Sequence, residues 1–348
     1  MAVGGAAVTA GTWPLVPSAI ALVAMAVVIV FVGVRLTKAA DELADRTGLG
    51  DAIGGALLLG AVTSLPGNVT VLTGALEGDA GFALANPVGG IALQTVWLAV
   101  ADLVYRRANL EHAAASLENV MQSVVLMAML SLPVIAYATP QLTLGWVHPV
   151  TLLIPLLYAY GLRLLRRMHD HPMWVPTHTS ATEGDHADEG SGSDRSTRRL
   201  WATLAGLGLV VGVAGWVVGQ AGLGVAAGTG LEGGIIGFTL TTAVSSLPEL
   251  VVLVTAVRMG QLTLGVGNIV GGNVFDMLMI AVADLGYLDG SLYRDAGSTS
   301  LVLLGGTMLL IAVLTAGLVM RDRKGIGFEG LLIPVIYAAT VGLAVISR

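Results

Sequence analysis

The chain has 348 residues, of which 55% are hydrophobic and 11% are charged, and its formal net charge is −6. So apolar a composition excludes an ordinary soluble domain and predicts many membrane-spanning helices of about 20 residues each. The complete lack of cysteine excludes disulfides and thiolate metal sites. No basic stripe or nucleic-acid motif is present, so nucleic acid is not an expected partner.

Ten apolar segments follow one another along the chain, and we predict that each forms a transmembrane helix. The predicted fold is therefore all-α and integral to the membrane, with the lipid bilayer as its first partner. The segments are Pro17–Leu36, Ile53–Leu76, Phe82–Val104, Ala115–Tyr137, Pro149–Leu165, Trp201–Val218, Gly234–Val257, Leu262–Tyr287, Ser300–Val319 and Gly330–Ile346.

The basic residues indicate how these helices are oriented. If the N-terminus lies outside, ten crossings put 15 of the 17 Lys and Arg residues on the inner side, leaving only Arg294 and Arg348 outside. Basic residues concentrate in the cytoplasmic loops of membrane proteins. We therefore predict a multi-pass protein of the plasma membrane with both termini outside the cell.

The segment from His169 to Arg199 is polar and rich in Gly, Ser, Thr and acidic residues, which predicts a disordered cytoplasmic linker. It separates a first half, residues 1–168, from a second half, residues 200–348. Four of the six histidines lie in it, at positions 169, 171, 178 and 186. These histidines leave open a metal-sensing role, although no spacing among them is diagnostic and a solvated loop is favoured.

The two halves contain an internal repeat. When position 53 is placed over position 235, residues 53–105 align with residues 235–287 without a gap and 21 positions match. The matches include Ser-Leu-Pro at 64–66 and 246–248, and the run AVADL at 99–103 and 281–285. Because five crossings separate the copies, we predict two inverted five-helix repeats, the plan of secondary transporters whose ion sites lie at broken helices near the midplane.

Two pairs of motifs resemble the signature repeats of the sodium/calcium exchanger family. VSSLPEL, followed by GNIVGGNVFDMLM, is similar to the second repeat of that family, and VTSLPGN, followed by ANPVGGIALQ, is similar to a degenerate first repeat. The resemblance implies counter-transport of Na⁺ or H⁺ against Ca²⁺ or a related cation. It also implies a cation site between the second, third, seventh and eighth helices.

Two acids are the predicted metal ligands of such a site. Glu249 and Asp276 lie deep within apolar segments, and a lone acid inside a membrane marks a functional site by default. Hydroxyl and amide oxygens near the same motifs complete the predicted ion-binding set, because hard cations prefer oxygen ligands. These residues are Ser245, Ser246, Thr63, Ser64, Asn68, Gln94, Asn86 and Asn268.

For several members of this set a structural role is the alternative. The hydroxyls can bond a carbonyl of the preceding helical turn, and the amides of Asn86 and Asn268 can bridge helix ends. Asp102 and Asp284, which belong to the two AVADL runs, are interpreted as interfacial or helix-pairing acids.

The first repeat departs from the family pattern. Gly67 stands where the family carries a second glutamate, and Gly90 and Gly272 stand where it usually carries serine. Asn68 is adjacent to Gly67, but one residue turns a helix by about 100°, so it replaces the glutamate only if the break at Pro66 rotates it inward. Loss of the acid suggests altered selectivity or stoichiometry and makes H⁺ a plausible coupling ion.

The predicted function is secondary-active cation antiport, Na⁺ against Ca²⁺, by alternating access. Exchange of Na⁺ or another cation against H⁺ is the first alternative, and a non-transporting metal-sensing membrane protein is the second. No nucleophile–base pair or metalloprotease motif indicates an enzyme. The expected ligands are the transported inorganic cations Na⁺, Ca²⁺ or H⁺, with no resident cofactor, and no protein partner is predicted.

Overall fold

The computed structural model describes residues 13–47, 61–104, 116–140, 142–170, 196–259, 262–320 and 327–347. These residues form a helical bundle, in which the only β structure is an isolated bridge between Leu144 and Val147. The principal helices are α1 (Leu15–Thr47), α2 (Leu65–Leu76), α3 (Ala80–Val104), α4 (Leu117–Ala138), α5 (Leu153–Asp170), α6 (Thr197–Thr229), α7a (Gly233–Ser245), α7b (Leu247–Met259), α8 (Leu262–Gly286), α9 (Thr299–Met320) and α10 (Phe328–Ile346).

Each of the ten predicted apolar segments corresponds to helix in the described part of the chain. Seven helices, α1, α3, α4, α6, α8, α9 and α10, are long and apolar enough to cross a membrane, and the bent pair α7a and α7b would make an eighth span. Residues 53–60, the first part of the second predicted segment, lie outside the described residues. α5 ends in a basic turn containing Arg163, Arg166 and Arg167, which lowers its hydropathy.

Two helices extend well beyond their apolar segments. α1 continues to Thr47, well beyond the predicted end at Leu36, because a helix does not have to stop where the apolar run stops. α6 extends to Thr229 through a stretch rich in Gly and Ala that packs against α1. A Cβ on Gly224 would lie 2.2 Å from Ser18 Oγ, so the small residues let the two helices approach closely.

The helices are arranged around α3 and α8, each of which contributes more buried apolar residues than any other helix. By contrast, α1, α6 and α10 turn large apolar side chains outward, as expected of helices that face lipid. Examples are Val23, Phe31, Leu209 and Val335, each more than half exposed.

Two glycines bring α1 and α6 against the helix breaks of the opposite half. A Cβ on Gly33 of α1 would lie 2.9 Å from Pro248 Cγ, and one on Gly215 of α6 would lie 2.3 Å from the Pro66 carbonyl oxygen. Positions 33 and 215 are related by the same shift that places position 53 over position 235. The repeat therefore extends into α1 and α6, beyond the matched residues 53–105 and 235–287.

Only part of the predicted linker, residues 169–199, lies within the described residues. Residues 169–170 belong to the end of α5 and residues 197–199 to the start of α6. Residues 171–195, which hold three of the four linker histidines, lie outside the described residues. The disordered linker, its metal-sensing alternative and the division into two halves remain predictions.

Candidate cation site

The two Ser-Leu-Pro elements interrupt their helices at the same point. Ser64 follows three helical residues and precedes α2, and Ser246 separates α7a from α7b, which are bent by 51° relative to each other. Pro66 and Pro248 are the second residues of α2 and α7b, where a helix needs no amide hydrogen. Because proline cannot donate, neither Pro66 nor Pro248 forms the usual helical hydrogen bond to the carbonyl four residues before it.

A cavity of about 20 Å³, enough for at least one water-sized occupant, lies between these breaks and the middle of α3 and α8. Two of its lining residues carry carboxyl groups, and none carries a positive charge. The residues that line it are Ser64, Gly67, Asn68, Val71, Asn86, Pro87, Gly90, Gln94, Ser245, Ser246, Glu249, Asp276 and Met279.

Asp276 of α8 is bound by donors from the first half of the chain. Its side chain is 7% exposed. Ser64 Oγ donates to Asp276 Oδ1 at 2.6 Å, and Gln94 Nε2 donates to Asp276 Oδ2 at 3.1 Å. The carboxylate therefore sits at the seam of the two halves, fixed by one residue from the first break and one from α3.

Glu249 enters the same cavity from the first turn of α7b and is 4% exposed. The Thr63 side chain hydrogen-bonds to its carboxyl group. Its Oε2 atom is buried without a hydrogen-bond partner among the described residues. A buried carboxyl oxygen without a donor is unfavourable unless something positive occupies the space beside it.

Asn68 and Gln94 also offer carbonyl oxygens to this cavity. Both residues line it, and Asn68 Oδ1 and Gln94 Oε1 are buried with no hydrogen-bond partner in the described part of the chain. Asn68 and its neighbour Gly67 both line the cavity, and a ligand role for Asn68 stays a prediction. Two neutral oxygens from the first half thus stand near the two acids from the second.

Asn86 and the two serines of α7 have mixed roles. Asn86 lines the cavity, and its Nδ2 donates to Thr241 Oγ1 at 2.7 Å and to the Gly237 carbonyl at 3.2 Å. It therefore ties α3 to α7a within both helices and not at their ends. Ser246 Oγ lies 3.5 Å from Gln94 Nε2, and Ser245 Oγ lies 3.4 Å from the Thr242 carbonyl, so both hydroxyls are only weakly engaged.

Asn268 is the one predicted site residue that the structure leaves apart from the others. It is partly exposed on α8 and does not line the cavity. Its counterpart in the first repeat, Asn86, is buried at 3% exposure. Asn86 and Asn268 occupy equivalent positions in the sequence repeat, but their side chains have different surroundings.

Three further polar residues, Thr241, Thr242 and Asn273, were not predicted as site residues from the sequence. Thr241 and Thr242 anchor Asn86 from a widened, π-helical turn at Gly237–Thr241, and Thr242 Oγ1 donates to the Asn86 carbonyl at 2.9 Å. Widened turns of this kind are frequent at functional sites. Asn273 is fully buried in α8, and neither of its amide atoms has a partner among the described residues. Asn273 precedes Asp276 by three residues, about one helical turn. This spacing could have identified Asn273 from the sequence.

The lining suits a hard cation. It combines two carboxyl groups with hydroxyl and amide oxygens, which are among the ligands that Na⁺ and Ca²⁺ prefer. A Cβ on Gly90 would lie 3.6 Å from Asp276 Oδ2, so the glycine keeps space open beside the carboxylate. Among the described residues, no group of three or more His, Cys, Asp or Glu side chains is placed to hold a metal ion.

Asp284 has a separate, structural environment at the end of α8. Its Oδ2 accepts hydrogen bonds from the His148 amide at 2.9 Å and from Thr151 Oγ1 at 2.5 Å, and Thr151 is also 2.8 Å from the Tyr293 hydroxyl. These contacts tie α8 to the segments before α5 and α9. Asp102, its counterpart in α3, is likewise buried at 3% exposure. Neither acid lines the cavity.

Asp79, between α2 and α3, is an acid outside the spanning helices. Its Oδ1 accepts a hydrogen bond from the Phe82 amide at 2.8 Å and so caps α3. Burial raises the pKa of Asp79, the charge of Glu232 raises it further, and the hydrogen bonds from the backbone oppose the shift. The residue belongs to the helix end and not to the cavity.

Helices that break on either side of a buried cavity with two carboxyl groups define a polytopic membrane protein with a site for cations. Comparison with known proteins agrees with this class. The chain belongs to the sodium/calcium exchanger protein family, whose model matches residues 17–164 and 199–346. Both limits of the second match are displaced from those of the first by the shift of the internal repeat.

Individual relatives are more distant. The sodium/calcium exchanger MaX1 of Methanosarcina acetivorans is 29% identical over 98 residues, and the alignment spans 28% of this chain and 28% of that relative. The solved sodium-calcium exchanger NCX_Mj superposes with a TM-score of 0.60 at 16% identity, covering 94% of this chain and 98% of that one. The solved H⁺/Ca²⁺ exchanger CAX superposes with a TM-score of 0.69 at 14% identity, covering 96% and 86%. At such identities the structural likeness concerns the fold.

Proposed function

We propose that the protein is a secondary-active antiporter that exchanges Na⁺ against Ca²⁺ by alternating access. The observation that carries the proposal is the convergence of Glu249 and Asp276 on one buried cavity lined by neutral oxygens. Membership of the sodium/calcium exchanger family supports it, as does the fold shared with NCX_Mj. The ligands we assign are Glu249 and Asp276, supported by Ser64, Asn68, Gln94 and the serines at 245 and 246.

Coupling to H⁺ instead of Na⁺ is the second candidate. It is favoured by the absence of a glutamate at Gly67, which leaves the site with two carboxyl groups that can themselves carry protons. The fold shared with the H⁺/Ca²⁺ exchanger CAX is compatible with the same chemistry. In this form of the proposal Glu249 and Asp276 release protons on one side of the membrane and bind Ca²⁺ there.

The architecture we assign is ten spans in two inverted five-helix repeats, in the plasma membrane, with both termini outside. Three observations support it: the double family match, the paired breaks at Ser64 and Ser246, and the paired glycines at 33 and 215. Inverted repeats with broken helices at a central site allow one half to rock against the other around a bound ion. This arrangement would open the site to each side in turn.

The test is Ca²⁺ flux into liposomes that contain the purified protein. We expect Ca²⁺ uptake driven by an outward Na⁺ gradient, and its loss in Glu249→Gln, because the amide has the same shape but cannot balance a cation. Glu232→Gln is the matched control, since Glu232 is an exposed acid at the start of α7a and should leave uptake unchanged. Uptake that ignores Na⁺ and follows a pH gradient would select H⁺ as the coupling ion.

The metal-sensing alternative makes the opposite prediction. A sensor would show no Ca²⁺ flux under any gradient, and its metal binding would disappear when residues 169–199 are deleted. An antiporter would retain flux after that deletion, provided that a short flexible linker still joins α5 to α6. Absence of flux in the wild type under both Na⁺ and pH gradients would therefore contradict the proposed function.

A further inference from the structure

We infer that the Phe82 side chain is the outer gate of the cavity: its ring closes the cavity toward the outside, and withdrawal of the ring opens that side. The inference rests on the proposed alternating access and adds a residue that controls one of its two steps. Phe82 is the third residue of α3 and is fully buried. The topology that we assign places the connection between α2 and α3 outside, so Phe82 lies toward the outer surface.

The phenyl ring occupies a pocket between glycines of two other helices. A Cβ on Gly74 of α2 would overlap Phe82 Cδ1, and one on Gly222 of α6 would lie 2.9 Å from Phe82 Cε2. The same Cβ on Gly222 would overlap the Thr241 methyl group of α7a. Behind the ring, a Cβ on Gly237 of α7a would lie 2.9 Å from the Phe82 carbonyl oxygen. Helices from both halves of the chain therefore meet at this one ring.

The pocket lies one turn outward from the cavity. Val71 of α2 and Asn86 of α3 both line the cavity. Gly74 follows Val71 by three residues and Phe82 precedes Asn86 by four, about one helical turn in each case. Because α2 runs toward the outside and α3 comes back from it, both steps lead outward. The ring thus stands between the cavity and the outer ends of these helices.

Phe82 also joins two apolar clusters that are otherwise distinct. In the described chain, α1, α6 and α7a share a cluster that includes Ile29, Val218 and Ile236, and Phe82 is the one buried residue of α3 within it. The next residue, Ala83, belongs to the larger core around α3 and α8. Separation of the two clusters has to withdraw this ring. Burial of the ring therefore stabilises the closed arrangement.

The surface of α8 that the repeat relates to this part of α3 is less tightly packed. Positions 85, 86, 89 and 90 of α3 are all buried, whereas positions 267, 268, 271 and 272 of α8 are all partly exposed. The first set lies on the outer side of the site and the second on the inner side. A difference between equivalent positions is expected when one side of the cavity is closed and the other is not.

The experiment measures how fast a cysteine in the cavity reacts with a reagent added from outside. The chain has no native cysteine, and Val71→Cys places a thiol in the lining at a position that we do not assign as a ligand. The reagent is the impermeant cation 2-(trimethylammonium)ethyl methanethiosulfonate, applied to right-side-out vesicles. We expect Phe82→Ala to accelerate the modification by about tenfold or more, because loss of the ring destabilises the closed state alone. Phe31→Ala is the matched control, since Phe31 of α1 is 62% exposed, and should leave the rate unchanged.

Gly74→Ala tests the pocket while the ring is still present. The three atoms that a Cβ on Gly74 would meet first all belong to the Phe82 ring. The added methyl group should displace the ring and accelerate the modification as well, which keeps the test valid even if Phe82→Ala does not fold. Combining the two changes should give no further acceleration, because the ring that the methyl group displaces is then absent. Effects that multiply in the double variant would overturn the inference.

The remaining outcomes separate the gate from the exchange. Equal rates of Val71→Cys modification with and without the Phe82 ring would overturn the gate, as would acceleration confined to reagent added on the cytoplasmic side. Modification does not depend on transport, so Ca²⁺ uptake by wild-type protein in liposomes is measured separately. Absence of uptake together with modification controlled by Phe82 would overturn the proposed exchange and leave the gate intact.

Discussion

At the scale of single residues, Asn68 is the neighbour of Gly67, the position where the family pattern has a glutamate. Asn68 lines the cavity with a buried carbonyl oxygen that no described donor reaches. α2 begins at Leu65, after the break. The orientation of α2 about its own axis is therefore not fixed by the helical residues that precede the break. Asn68 thus lines the cavity beside Gly67, and we propose it as a neutral ligand where the family pattern has a charged one.

Asn68→Ala should therefore weaken the apparent Ca²⁺ affinity of transport by about three- to tenfold, the equivalent of one neutral ligand at about 1 kcal/mol. The maximal rate should change less than the affinity. Asn268→Ala provides the control, since Asn268 is an asparagine outside the cavity and its loss should leave the affinity unchanged. The measurement is the Ca²⁺ concentration dependence of uptake in liposomes, and equal effects of the two variants would contradict the assignment.

At the scale of helices, the breaks are supported by close packing from α1 and α6. Gly33 approaches the Pro248 ring and Gly215 approaches the Pro66 backbone, while Thr70 Oγ1 donates to the Gly215 carbonyl at 2.8 Å. Between transmembrane helices, small residues at the contact allow such approach. The elements that carry the site are thus held by glycines from the opposite half of the chain.

Gly215→Ala should destabilise the protein by about 1–3 kcal/mol, because the added methyl group would meet backbone atoms of Pro66 that cannot move aside. Gly206→Ala is a control in the same helix. It has open space around its Cβ position, and its effect should stay within about 0.5 kcal/mol. Thermal unfolding of the purified protein in detergent checks both. A Gly215→Ala variant as stable as Gly206→Ala would show that the contact at Pro66 is looser than the structure indicates.

At the scale of the whole molecule, the two ranges matched by the family model agree in register but contribute different chemistry to the cavity. The family model matches both in the register of the internal repeat, yet both acids of the cavity come from the second half. Ser64, Asn68 and Gln94, which line the same cavity, come from the first matched range. The alternating access that we propose would need both ranges to close on the ion.

The predicted topology is testable because the chain contains no cysteine. A single cysteine introduced as Ser191→Cys should react with a membrane-impermeant maleimide only from the cytoplasmic side. Ser347→Cys, at the end of α10, should react only from outside, because five crossings separate the two positions. Labelling is compared in right-side-out and inside-out vesicles. Reaction of both cysteines from the same side would contradict the ten-span arrangement.

The sequence by itself determined the class of the protein, its helical segments, the repeat, and Glu249 and Asp276 as the acids of the site. These follow from local properties: the length of apolar runs, a matched register, and the high energy of an acid in an apolar segment. Only the tertiary structure decided that Asn68 faces the cavity, that Asn268 does not, and that Gly33 and Gly215 pack on the prolines. Those facts depend on how a helix is rotated after a break and on which helix crosses it, and neither is encoded in the spacing of residues along one segment.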